Sequence, residues 1–123
     1  MIHSFLHRST DGGRTRINVR DFGDYGMMYI RVVRLRDGRL LMTYTQRSTF
    51  PPLGLRAVFS HDDGETWELD SDVLIIDAKT PWGMASGGGF GNTLEMEEGT
   101  LVTAYTYRGA DDLTHLEVAR WRI

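Results

Sequence analysis

The chain of 123 residues contains no cysteine. Disulfides, thiolate zinc sites and a cysteine nucleophile are therefore excluded. Proline is scarce too: Pro51, Pro52 and Pro81 all fall in segments that read as loops, where a missing N–H breaks no strand ladder. No apolar run approaches the roughly 18 residues of a membrane span. The stretch Met1–Arg8 lacks the layout of a signal peptide, and the cellular location stays open. Charge of one sign is also in short supply. Seventeen acids face 14 bases, a net charge of −3, which argues against a nucleic-acid partner held through phosphates. His3, His7, His61 and His115 show no metal-ligand spacing. Gly87-Gly88-Gly89-Phe90-Gly91 has neither the lysine nor the helix of a phosphate loop. Neither a metal nor a cofactor is expected.

What is abundant points to strands. Hydrophobic residues make up 41% and charged residues 25%, an ordinary globular balance. The 14 glycines cluster between apolar runs, as turns do between strands. The runs repeat. Leu35–Leu41 resembles Met96–Val102, with Gly38 and Gly99 lying 61 residues apart. At the same offset Leu40–Thr45 pairs with Leu101–Thr106, and Leu55–Val58 with Leu116–Ala119. Ser9–Thr15 resembles Ser60–Thr66 at an offset of 51. Hairpins are expected over 28–35 with 39–46, and over 55–60 with 67–76. Further strands are expected near 3–8, 16–19, 92–96, 100–107 and 115–122, with no amphipathic helix. Repeated antiparallel four-stranded units favour an all-β fold of the β-propeller type, and a sandwich of the same hairpins is the alternative. The units are 1–20, the end of one blade; 27–76, a complete four-stranded blade; and 89–123, a three-stranded blade.

Ser60-His61-Asp62-Asp63-Gly64-Glu65-Thr66-Trp67 reads as a self-contained turn. Asp62 is placed to accept backbone N–H groups two or three residues on. Gly64 supplies a positive φ, Thr66 starts the outgoing strand, and Trp67 covers the turn with apolar surface. Taken alone, the motif holds a hairpin together. It resembles the Asp-box of the sialidase (neuraminidase) superfamily, and Ser9, Asp11, Gly13 and Thr15 match a second copy with Arg16 in place of the aromatic. The stretch from Gly89-Phe90-Gly91-Asn92 to the end, Arg120-Trp121-Arg122-Ile123, is similar to the final blade of exo-α-sialidase-like proteins. The resemblance implies a six-bladed propeller acting on glycans. It also implies that the chain is a C-terminal piece of about two and a half blades, with other blades, or self-association, covering its open ends. The implied activity of the whole protein is removal of a terminal sialic acid or related sugar acid, the isolated piece being inactive. The alternative is a propeller that binds glycans or proteins without hydrolysis.

Successive hairpins place the tight turns at Asp37-Gly38 and 60–67 on one end of the blades. The loops 20–27, 47–54, 77–91 and 108–114 fall on the other, where sites usually sit. A sugar carboxylate calls for arginine forks. Arg47 and Arg108, 61 residues apart at equivalent strand ends, are candidates, as is Arg31 on an innermost strand. Solvated strand-end arginines would repeat in the same way. Tyr25, Phe50, Trp82 and Phe90 are aromatics that could stack on a sugar or pack between blades. Asn92 follows Phe90 in the motif that carries the resemblance and joins the substrate-binding set. The family uses a tyrosine nucleophile with acidic partners. Here Phe90 stands where the resemblance implies that tyrosine, and Tyr29 where it implies the base glutamate. Tyr29 remains the one candidate nucleophile, with a packing role as the alternative.

Overall fold

A computed structural model of the chain describes residues 3–23, 27–46, 54–77, 92–97 and 99–123. Nine strands run through them: β1 (Phe5–Arg8), β2 (Ile17–Asp21), β3 (Met27–Arg34), β4 (Leu40–Gln46), β5 (Gly54–Ser60), β6 (Val73–Asp77), β7 (Asn92–Glu97), β8 (Thr100–Arg108) and β9 (Thr114–Arg122). They form three antiparallel sheets in simple meander order: β1-β2, β3-β4-β5-β6 and β7-β8-β9. No α-helix occurs among the described residues, and none there is long and apolar enough to cross a membrane.

The expected hairpins are present, with one change. The segment 67–76 is not strand throughout. Leu69–Ser71 make one 3-10 turn, and β6 starts only at Val73. Trp67 is the cause: its buried ring folds back over the preceding turn, and Glu68 already returns its N–H to Phe59.

Sheet stacking follows from the sequence of the two central strands. β5 is buried along its whole length, and so are Leu41–Gln46 of β4. Buried strands of this kind carry apolar residues on both faces. On one face Met42, Tyr44, Val58 and Trp67 pack with Leu6 of the first sheet and with Phe22, which directly follows β2. On the other, Leu41, Ala57 and Phe59 pack with Leu101 and Trp121, and Leu55 packs with Tyr105 and Ala119 of the third sheet. The four-stranded sheet is thus held between its two neighbours. The first strands of the two larger sheets, β3 and β7, lie against each other.

The tight turns gather at one end of the stack. Arg8, at the tip of β1, donates to the Asp63 carbonyl and reaches Glu65 at 3.4 Å. Arg34 also donates to the Asp63 carboxylate. Arg36 gives its backbone N–H to Glu95 at 2.7 Å and its side chain to the Met96 carbonyl. The Arg8 ion pairs tie the first sheet to the second through its turn, and the Arg36 hydrogen bonds tie the second to the third.

Candidate functional site

The two turns that resemble Asp-boxes, Ser9–Thr15 and Ser60–Thr66, have one geometry. In the second, Gly64 N–H donates to Ser60 Oγ (2.9 Å), Ser60 Oγ donates to Asp62 (2.9 Å), and Thr66 gives both its N–H (2.8 Å) and its hydroxyl to the Asp62 carboxylate. In the first, Gly13, Ser9, Thr15 and Asp11 take the same places. The carboxylate therefore caps the residue four positions on, not two or three, and the serine caps the glycine. Gly64 is required twice over: its φ is +94°, and an added Cβ would stand 3.1 Å from Leu6 of the neighbouring sheet. Trp67 Nε1–H closes the second turn on the Gly64 carbonyl at 3.0 Å. In the first turn Arg16 is exposed and the polar bonds stand alone.

These bonds stabilise the charged form of both carboxylates. The threonine hydroxyl first, and the threonine N–H second, pull Asp11 and Asp62 down from 3.8 to about 2. A carboxylate whose pKa falls on folding contributes stability that is complete above its unfolded value and is lost as pH drops through the folded one. The expected result is a melting temperature that declines between about pH 4 and pH 2. A D11N/D62N variant should melt lower at neutral pH and lose less on acidification. Parallel acid profiles for the two proteins would show that the turns carry no such linkage.

A cavity of about 440 Å³ opens where β3 meets β7. Arg31, Thr43, Asn92 and Thr93 are its polar lining, with Val33, Leu41 and Leu94 among its aliphatic walls. Arg31 and Asn92 are brought together here. They lie 61 residues apart, so they hold the same position in successive repeats. Arg31 is exposed and donates to the adjacent Ile30 carbonyl at 3.0 Å. Among the described residues no carboxylate pairs with it and none lines the cavity. The rear wall is fixed by polar bonds: buried Thr93 Oγ1 meets Thr103 Oγ1 at 2.8 Å, and Trp121 Nε1–H donates to the same Thr103 oxygen.

Beside the cavity, β3 carries a bulge between Met28 and Arg31. Tyr29 sits in it with φ +54°, a strained value for a non-glycine residue. Bulges re-aim side chains and gather near sites. Arg108 is not in this cavity. It lies at the far end of β8 and forks onto Asp112 of its own loop at 2.7 and 2.9 Å. Next to it Asp111 holds His115 at 2.8 Å, and this histidine bond, the largest influence, lowers the Asp111 pKa. Arg47, Trp82 and Phe90, with Tyr25 and Phe50, lie outside the described residues.

Two buried polar clusters had no signal in the sequence patterns. Tyr44 and Arg56 are cross-strand partners, and both bond Asp72, which follows the 3-10 turn, at 2.9 and 2.7 Å. Tyr105 and Glu117 are the equivalent pair one repeat later, bonded at 2.9 Å. Burial, then the glutamate bond, pushes the Tyr105 hydroxyl up to about 12. Both clusters face into the sheet interfaces rather than into the cavity. Among the described residues no group of three or more His, Asp or Glu side chains is arranged to hold a metal. No protein-family model, no curated protein and no solved structure matches the chain.

Proposed function

We propose that the chain is part of a sialidase-like β-propeller whose whole protein removes a terminal sialic acid or related sugar acid from glycans. The reading is supported by two turns of one geometry that resemble Asp-boxes and by meander sheets stacked face to face with their first strands adjacent. The observation that carries the ligand class is the β3–β7 cavity. It offers a guanidinium without a carboxylate partner among the described residues, an amide, two threonines and aliphatic walls. That set suits a carboxylate on an otherwise neutral, partly apolar ring. In this reading Arg31 takes the carboxylate and Asn92 a neighbouring hydroxyl or amide.

A second reading rests on the same cavity. Glycoside hydrolysis needs two acidic groups or a nucleophile with an acid, and the described lining supplies neither. Binding without hydrolysis is what these residues alone can perform. Two measurements test the site that both readings share. The 123-residue chain should not turn over a fluorogenic sialoside, and Arg31→Ala should weaken sialic acid binding by about 1.5–3 kcal/mol, the worth of a charge-assisted bond. Undiminished binding by the variant would remove Arg31 from the site. Turnover by the short chain would exclude the binding-only reading.

A further inference from the structure

The 61-residue repeat links faces that are buried in one sheet to faces that are exposed in another. On the four-stranded sheet Val33, Leu41, Leu55 and Ala57 pack beneath the third sheet. One repeat later these positions are Leu94, Val102, Leu116 and Val118. There Leu116 and Val118 are 76% and 62% exposed, while Leu94 lines the β3–β7 cavity. An apolar sheet face of this kind marks an interaction surface.

The opposite end of the stack carries the complementary half. By the 51-residue offset, Phe5 and His7 correspond to Arg56 and Val58, which point into the interface with the first sheet. On β1, Leu6 and Arg8 face the four-stranded sheet. Phe5 stands outward, 51% exposed, with its ring between those of His3 and His7 at 5.3 and 6.3 Å. The two exposed faces are therefore the two halves of a contact that the chain already makes twice within itself.

We infer that, for the 123-residue chain on its own, the occupant of the β7–β9 face is a second copy of this chain, docking the Phe5 face of its β1–β2 sheet there and continuing the stack head to tail. Such a contact is heterologous: it joins different patches and closes into a ring or extends. Both halves can be blocked separately with substitutions at exposed positions, Leu116→Glu on one and Phe5→Glu on the other.

Sedimentation velocity at micromolar concentration tests this. The unmodified chain should sediment above its 14.0 kDa monomer mass and rise with concentration. Each variant alone should be a monomer, and an equimolar mixture of the two should give a two-chain species, because each supplies the half that the other lacks. A monomeric unmodified chain would overturn the inference and leave the face to a different protein. So would association of Phe5→Glu alone at the unmodified level, which would mean that the face pairs with its own kind. Circular dichroism checks each variant's fold. Val118→Lys and His7→Glu form the second pair if one of the first fails to fold.

Discussion

Replacing Trp67 with alanine is expected to cost about 3–5 kcal/mol, the range for deleting a buried tryptophan. Small domains are stable by only about 5–15 kcal/mol in total, so this change alone should bring the chain close to unfolding. Trp67 is 7% exposed. Its ring fills the core between the first and second sheets and meets Phe22 edge-on at 6.3 Å. Its N–H donates to Gly64 within the turn. Removal leaves a cavity under the 60–67 turn and frees the Gly64 carbonyl from its Trp67 bond. Arg16, the equivalent residue of the first turn, is exposed, and Arg16→Ala should change stability by no more than about 0.5 kcal/mol. Urea denaturation measures both. Equal, small shifts for the two variants would show that the second turn does not anchor the stack.

The second large effect is expected at Asp72. The Arg56–Asp72 ion pair is buried between sheets, with side chains 9% and 17% exposed. Removing one partner of such a pair typically costs about 3–5 kcal/mol, because the other charge stays buried. Asp72→Ala should therefore destabilise by that order, and also removes the bond from Tyr44 Oη to Asp72. Replacing the pair together, as R56M/D72L, should recover most of the loss, since buried pairs exchanged for apolar residues are often neutral. A double variant no more stable than Asp72→Ala would show that Arg56 has a value independent of Asp72.

Strands and turns were legible because each rests on local chemistry. Asp37-Gly38 closes β3 onto β4 and Gly99 closes β7 onto β8, as the acidic-glycine pattern requires. The start of β6 was not legible, since it depends on where the Trp67 ring turns once Phe22 has arrived from the end of β2. The polar clusters were hidden for a similar reason. Tyr44 meets Arg56 through strand register, and Asp72 reaches both only after the 3-10 turn. Arg31 and Asn92 are each legible as candidates, but their meeting needs β3 and β7 to lie side by side. Arg108 stood out by its repeat with Arg47, yet its loop supplies Asp112, a partner that no repeat position announces.

A titration tests for a sugar-acid site at the meeting of β3 and β7. The unmodified chain is titrated with sialic acid and with its uncharged amide, following the backbone NMR signals of Arg31, Asn92 and Thr93. Shifts at these residues are expected with the acid, and binding of the amide should be weaker by about 1.5–3 kcal/mol through loss of the charged acceptor. Equal affinity for acid and amide, or shifts confined to the end that carries the 60–67 turn, would contradict it.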